Sequence, residues 1–191
     1  MAERSLYARD VSRGRQGEIP QMSEDRPRDT LRVEVVIEVP KGSRNKYEID
    51  HSTREVWLDR LLFTATRYPA DYGFLPLTLG EDSDPLDAMV LGDEPVFPGV
   101  HVWARPVAAF LMRDEGGPDA KIFCVHAEDE RWEHLRDLAD LPPHLMAEIH
   151  HFFEVYKALE PGKDTEVGEW VGLAEAQRLI NEAWARHDEA L

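Results

Sequence analysis

Apolar and polar residues alternate from Arg32 to Pro40, with Val33, Val35, Ile37 and Val39 on one side. A period of two along the chain predicts a β-strand. Similar short runs predict five further strands, at 46–50, 56–62, 88–91, 101–112 and 121–125. Turn-forming residues separate these runs, and the aromatic-rich segment 68–73 is predicted to be a loop.

The pattern changes beyond residue 140, where apolar residues recur every three or four positions. This spacing predicts a helix that begins at Pro142–Pro143 and stops at Pro161–Gly162. A second helix is predicted from Gly172 to Ala185. A series of short strands followed by two helices favours an α+β, mainly β fold, in which a small β-barrel carries the helices on its outside.

The first 30 residues differ from the rest of the chain. They contain six arginines and six acidic residues, few apolar residues and no hydrophobic period. A segment of this composition cannot bury enough apolar surface to order itself. We therefore expect a flexible N-terminal extension over residues 1–30 and one domain over residues 31–191, which suits a chain of 191 residues.

The charge balance excludes several classes of partner. The chain has 22 Lys and Arg against 38 Asp and Glu, a formal net charge of −16. Such an excess of negative charge opposes binding to nucleic acid or to an anionic membrane surface. No stretch approaches the roughly 20 apolar residues of a membrane span, and no apolar run follows the N-terminus. The single Cys124 cannot form an intramolecular disulfide, so we expect a cytoplasmic protein.

The densest chemical signal is the acidic stretch Glu81–Asp87. Asp82, Asp84 and Asp87 stand at spacing i, i+2, i+5 without a basic residue between them. Like charges held together cost free energy unless a cation compensates them, and hard oxygen ligands suit Mg²⁺, Mn²⁺ or Ca²⁺. A solvated acidic loop is the ordinary alternative. Pro85 argues against it, because proline stiffens the loop and fixes the directions of the carboxylates.

A second acidic turn, from Asp114 to Lys121, joins two predicted strands, and such turns commonly contain Asp and Gly for conformational reasons alone. Cations also occur in the short strands, at Lys46 and Arg60, and at the end of the first helix, at Lys157. Each has an ordinary structural explanation. Together, many carboxylates, several cations and tyrosine hydroxyls form the set that metal-assisted phosphoryl chemistry requires.

Two loop tyrosines, Tyr68 and Tyr72, are suited to the core or to a ligand. Tyr72 is followed by Gly73, and a glycine at such a place indicates close approach of the backbone to another group.

From about residue 32 to about residue 163 the chain resembles the soluble inorganic pyrophosphatases of the bacterial single-barrel type, and it is most similar to actinobacterial members. The segments that carry the resemblance are 37–40 (IEVP), 46–50 (KYEID), 59–60 (DR), 68–73 (YPADYG), 82–87 (DSDPLD), 114–121 (DEGGPDAK), 151–153 (HFF) and 156–157 (YK). The Asp-x-Asp-Pro-x-Asp core is specific to this family. Ser83 stands where glycine is common, and because a small residue fits there we expect little effect.

The resemblance implies a five-stranded OB-like barrel with flanking helices. It implies hydrolysis of pyrophosphate to two phosphates by in-line attack of a metal-activated water. Mg²⁺ would be the cofactor, with Mn²⁺ or another divalent metal able to substitute. The implied assembly is a homohexamer.

The resemblance also implies roles for individual residues. The metal ligands would be Glu38, Asp82, Asp87, Asp114 and Asp119. Asp84 would accept the proton of the attacking water, although Asp119 is an alternative for this role. The phosphates would be bound by Lys46, Arg60, Tyr72, Lys121, Tyr156 and Lys157. Glu48 and Tyr68 would support the site.

Two other functions compete with this interpretation. An OB-like barrel could bind oligonucleotides, but that function needs a basic groove with exposed aromatic residues, which the net charge opposes. A non-catalytic metal-binding or oligomeric structural protein would need the carboxylates, but it would not need Lys46, Arg60, Tyr72 and Tyr156 in register with them.

Overall fold

The computed structural model describes residues 32–163 and 165–191. The extension predicted over residues 1–30 lies outside these residues. In chain order the strands are β1 (Val33–Val39), β2 (Asn45–Ile49), β3 (Val56–Leu61), β4 (Asp71–Phe74), β5 (Asp87–Leu91), β6 (His101–Asp114), β7 (Gly117–Pro118), β8 (Lys121–His126) and β9 (Thr165–Gly172). The helices are α1 (Pro143–Val155) and α2 (Leu173–Glu189), with single 3₁₀ turns at Glu130–Trp132 and Leu138–Asp140.

Five strands close into a ring in the order β1-β4-β5-β8-β6, because β6 also pairs with β1. The pairs are antiparallel except for β5 and β8, which run parallel. The 14-residue β6 extends beyond the ring; it pairs with β9 from Ala108 to Asp114 and with β7 at Arg113 and Asp114. β2 and β3 form a separate two-stranded hairpin. The small barrel with helices outside, expected from the order of the elements, is confirmed.

The strands of the ring are buried on both faces, which is why several of them are continuously apolar in sequence. One cluster packs under α1 and includes Phe110, Phe123, Phe152 and Phe153. A second cluster packs under α2 and includes residues such as Ile180. Neighbouring residues on a strand therefore contribute to different clusters, and the two helices cover different parts of the barrel.

The structure differs from the predicted elements at several places, one of which is α2, which continues to Glu189, four residues beyond the predicted end at Ala185. The segment 68–73 is not wholly a loop, because Asp71–Phe74 forms β4. β9 and the two-residue β7 have no counterparts among the predicted strands. Only three of the eight residues of β9 are apolar, and its backbone hydrogen bonds with β6 order it as a strand. The first helix ends at Val155, before the predicted stop at Pro161–Gly162, and Tyr156 caps it. None of the described helices is both long enough and apolar enough to cross a membrane.

Candidate active site

A cavity of about 310 Å³ opens between one end of the barrel, the β2–β3 hairpin and the end of α1. It brings together thirteen of the fourteen residues singled out from the sequence. These are Glu38, Lys46, Glu48, Arg60, Tyr72, Asp82, Asp84, Asp87, Asp114, Asp119, Lys121, Tyr156 and Lys157. They come from segments spread over 120 residues of sequence, so the fold itself assembles the site.

Lys121 lies at the floor of this cavity and is only 2 % exposed. It begins β8 directly beside Asp87, which begins the parallel strand β5. Its Nζ lies 2.5 Å from Asp87 Oδ2 and also contacts the carboxylate of Asp119. Burial favours the neutral amine, but these two carboxylates outweigh burial and raise the pKa of Lys121. Tyr72 donates its hydroxyl hydrogen to the same Asp87 carboxylate.

Burial disfavours the charged form of several carboxylates in the cavity. Glu38 on β1 is buried, and its Oε1 accepts a hydrogen bond of 3.0 Å from the backbone N–H of Ile49. Burial raises the pKa of Glu38 to about 7 and that of Asp119 to about 6. Burial also raises the pKa of Asp82. A bound cation would stabilise the ionised form of all three groups.

The loop that carries Asp82 and Asp84 is tied by hydrogen bonds. The backbone N–H of Gly80 donates to the carbonyl of Asp84 over 2.6 Å, and the N–H of Asp84 donates to Asp82 Oδ1 over 3.1 Å. Ser83 between them has φ 76°, the left-handed conformation that glycine adopts most easily. These hydrogen bonds and the left-handed residue give the loop a defined conformation, whereas a freely solvated acidic run would have none.

The base of this loop is held by residues that the sequence interpretation missed. The hydroxyl of the buried Thr78 donates to the carbonyl of Leu75 and accepts from the N–H of Leu86. Arg186 on α2 donates from Nε to the carbonyl of Leu79 over 2.8 Å. Neither residue has a sequence signal of its own, because each binds backbone groups, and the one bound by Arg186 is 107 positions away.

The β2–β3 hairpin contributes two cations. Lys46 and Arg60 face each other in register. Asp59 contacts Arg60 and lies 3.6 Å from Lys46 Nζ, which also contacts Glu48. Burial lowers the pKa of Lys46.

The opposite wall comes from the end of α1 and the β6–β7 turn. Lys157 Nζ lies 2.9 Å from Asp114 Oδ2, and Tyr156 beside it is buried, which raises the pKa of its hydroxyl. Glu115 and Lys163 also line the cavity and form an ion pair of 2.5 Å. The sequence interpretation left both out, although Glu115 lies inside a motif segment.

Tyr68 and His51 lie at the edges of this arrangement, one behind the cavity and one lining it. Tyr68 does not line the cavity; it is buried behind it, with its ring 5.3 Å from Tyr72 and 4.9 Å from Phe152. His51 lines the cavity mouth, where its ring meets the edge of Phe74 at 4.8 Å. Sequence alone gave no position for His51.

The close approach of backbone expected at Gly73 is present. A Cβ atom on this residue would lie 1.9 Å from the carbonyl oxygen of Val36 on β1. Only glycine therefore allows β4 to pair here with β1, and this pairing sets the position of Tyr72 next to it.

Comparison with known proteins agrees with this geometry. The family model described as inorganic pyrophosphatase matches residues 35–188. The inorganic pyrophosphatase of Leifsonia xyli is 55% identical over 152 residues, which cover 80% of this chain and 93% of that protein. The inorganic pyrophosphatase of Streptomyces coelicolor is 54% identical over 156 residues, or 82% of this chain and 96% of that protein. The crystal structure of the inorganic pyrophosphatase from Thermus thermophilus superposes with a TM-score of 0.83 at 47% identity, covering 85% of this chain and 95% of that one. The chain therefore belongs to the inorganic pyrophosphatase family of hydrolases.

Proposed function

We propose that this protein hydrolyses inorganic pyrophosphate to two phosphates with the help of Mg²⁺. The observation that carries the proposal is that one cavity holds both a set of carboxylates and a ring of cations. Carboxylates alone would repel a tetra-anion, and cations alone would bind it without activating water. The two sets together suit metal-assisted cleavage of a phosphoric anhydride.

The oxygen ligands that the cavity offers to a metal fit Mg²⁺. All the candidate ligands are carboxylate oxygens, namely Glu38, Asp82, Asp87, Asp114 and Asp119, and their chemistry suits a hard cation. Among the residues described, no three acidic, imidazole or thiol groups converge tightly enough to enclose a metal alone. Mg²⁺ keeps several waters and is usually held by one or two carboxylates together with substrate phosphates, so it does not require such an enclosing cluster. When bound, such a cation supplies charge that lowers the pKa of a water and neutralises phosphate oxygens. Mn²⁺ has the same ligand preference and is expected to substitute.

The substrate would be bound from several sides. Lys46 and Arg60 on the hairpin and Lys157 at the end of α1 supply charge to the phosphate oxygens, while Lys121 supplies it from the floor. Tyr72 and Tyr156 add hydroxyl donors whose raised pKa keeps them protonated at neutral pH. Glu48 and Tyr68 are expected to support these groups, the first beside Lys46 and the second behind Tyr72.

For the proton acceptor, the contacts favour Asp84 over Asp119. The carboxylate of Asp119 is engaged by Lys121, whereas the side chain of Asp84 accepts no hydrogen bond within residues 32–163 and 165–191. Its oxygens are thus available to a water. In the proposed step the water oxygen bonds to one phosphorus, the bridging P–O bond breaks, and the water proton passes to Asp84.

The test is phosphate release from pyrophosphate, with Mg²⁺ against EDTA, for the wild-type protein and for Asp84→Asn. We expect rapid release that requires Mg²⁺ and falls by at least about 100-fold in Asp84→Asn, the usual scale for loss of a general base. The matched control is Asp93→Asn, an exposed aspartate paired with Arg131 outside the cavity. Absence of release at any metal concentration or pH would refute the proposal.

We also propose a homo-oligomer, with six copies as the expected number. The hairpin and the loop before β6 expose large apolar side chains, among them Trp57 at 61 % and Phe97 at 81 %. Exposed apolar surface of this kind marks an interaction site, and a second copy of the chain is the occupant proposed. Light scattering at micromolar concentration should give a hexamer that Phe97→Glu dissociates. A monomeric wild-type protein would refute the assembly.

A cytoplasmic location is part of the proposal as well. Its support is the one cysteine, Cys124, which is a free thiol buried in β8. Cell fractionation with antibody detection tests this location.

A further inference from the structure

Glu160 is a buried carboxylate that does not line the cavity. It lies in the turn after α1, and its side chain is only 6 % exposed. The backbone fixes its position, since its N–H donates to the carbonyl of Lys157 over 2.8 Å and its carbonyl accepts from the N–H of Lys163 over 3.3 Å. Burying a carboxylate is costly unless a charged partner compensates it.

That partner is Arg60, one hundred residues earlier in the chain. Arg60 Nε donates to Glu160 Oε1 over 2.9 Å. Burial disfavours the charged guanidinium, but Glu160 and Asp59 overcome this effect and raise the pKa of Arg60. The pair joins the turn after α1 to the hairpin, two parts of the molecule that sheet hydrogen bonds do not connect.

Arg60 needs such a partner because its own element holds it weakly. The hairpin is a sheet of its own that contacts the barrel through β2, and the other residues of β3 are exposed. A free arginine side chain carries about 2 kcal/mol of rotamer entropy. Over the described part of the chain, Glu160 is the only hydrogen-bond partner of Arg60 from outside the hairpin, since the other, Asp59, precedes it in sequence and moves with it.

We propose that Glu160 is a positioning residue, which aims the Arg60 guanidinium at a substrate phosphate; this inference rests on the proposed function. Glu160 occupies Nε and Asp59 occupies Nη1, so Nη2 is left to bind a phosphate oxygen. Glu160 acts through Arg60 and touches no substrate itself. Loss of the Glu160 carboxylate should weaken binding of the substrate and of the transition state equally. This loss raises KM and leaves kcat nearly unchanged.

The experiment is a double-mutant cycle on pyrophosphate hydrolysis with Glu160→Met, Arg60→Gln and the double variant. Methionine has a similar length and suits a buried site, and Arg60, whose side chain is 22 % exposed, keeps its contact with Asp59, so folding should survive. We expect Glu160→Met to raise KM about tenfold, the scale for loss of a charged hydrogen bond, with kcat within about threefold. In the Arg60→Gln background the same change should alter KM by less than about twofold.

Two further variants sharpen the result. Glu160→Gln keeps an acceptor for Arg60 Nε, so it should raise KM less than Glu160→Met does; it also serves if Glu160→Met does not fold. The control is Glu154→Gln, an exposed glutamate on α1, which should leave both constants unchanged. In ¹⁵N spectra of the substrate-free protein, the Arg60 Nε–H signal should be protected from exchange in the wild type and lose this protection in Glu160→Met.

The outcomes separate the two proposals. An inactive wild-type protein refutes the proposed function and this inference with it. An active wild type in which Arg60→Gln raises KM, while Glu160→Met has equal effects in both backgrounds, refutes the positioning role alone. A lower melting temperature with unchanged KM and unchanged Arg60 exchange would also refute it, because the pair would then be purely structural.

Discussion

The ammonium group of Lys121 lies 2.5 Å from the carboxylate of Asp87, across the parallel pair that joins β5 and β8. The same ammonium contacts Asp119, so one buried cation balances two carboxylates. Asp87 and Lys121 are the first residues of the parallel strands β5 and β8 and are paired in register. The register of the two strands therefore places the two charged side chains next to each other. The charge of Lys121 should therefore stabilise the metal-free protein.

Substitution of Lys121 by methionine should destabilise the metal-free protein by about 3 kcal/mol, because it leaves two carboxylates without a buried partner. Added Mg²⁺ should restore part of this loss. Urea unfolding in EDTA and in Mg²⁺ measures both effects. Lys163→Met is the control, because Lys163 is 44 % exposed and its pair with Glu115 should contribute less than about 1 kcal/mol. Equal losses in the two variants would contradict the expectation.

The stability of the metal-free protein should fall as pH rises from about 4.5 to about 7. Burial raises the pKa of Glu38 from 4.5 to about 7, so the folded state binds this proton more tightly than the unfolded state does. The corresponding stabilisation is complete below the unfolded pKa and is lost as pH rises through the folded pKa. It amounts to roughly 3 kcal/mol, and Asp119 acts in the same direction.

Unfolding curves in EDTA between pH 4 and pH 8 check this dependence. Glu38→Gln should flatten the pH profile in that window, whereas Glu148→Gln on the exposed face of α1 should leave it as in the wild type. A wild-type profile as flat as that of Glu38→Gln would show that the carboxyl group titrates normally.

Alanine at Gly73 should destabilise the protein by at least about 3 kcal/mol, because its Cβ would collide with the Val36 carbonyl in the β1–β4 pair. Gly42→Ala separates this steric effect from backbone strain. Gly42 has φ 79°, and a Cβ atom there would have no neighbour within 4 Å among the described residues, so its substitution should cost only about 1 kcal/mol. Thermal unfolding of the two variants gives the comparison, and equal losses would disprove the steric explanation.

Glycine at Ser83 should stabilise the protein by about 1 kcal/mol. The left-handed backbone at φ 76° strains a residue that has a Cβ, and glycine removes this strain at a smaller entropic cost. Ser83→Ala keeps the Cβ and should show no gain. Urea unfolding measures the difference between the two variants. A stability loss in Ser83→Gly would mean that the serine hydroxyl contributes more than the strain costs.

Sequence patterns predicted most of the barrel because its strands are strongly apolar and separated by turn residues. These patterns failed for strands whose formation depends on a pairing partner that their own residues do not indicate. β4 is four residues long and contains Gly73, a residue that usually weakens a strand, yet the absent side chain is what permits pairing with β1. β9 gains its hydrogen bonds from β6, whose presence cannot be read from residues 165–172.

The residues of the candidate site also fall into a predicted group and a missed group. Residues with a chemical motif, such as Asp82 and Lys121, were predicted, and the cavity brings them together. Residues that orient them were missed. Thr78 and Arg186 bind backbone groups at the base of the acidic loop, and Glu160 pairs with an arginine one hundred positions away. Contacts of this kind depend on how distant segments pack, so no spacing in the sequence records them.

The pairings of β6 should make ring closure a late, non-local event in folding. It pairs with β1 at one end and with β9 at the other, so residues near both ends of the described chain must find the same strand. Chains dominated by such distant pairings fold in milliseconds to seconds, because loop-closure entropy is lost before the pairing is gained. Refolding followed by stopped flow should therefore be slow, with α1 helicity appearing before the barrel closes.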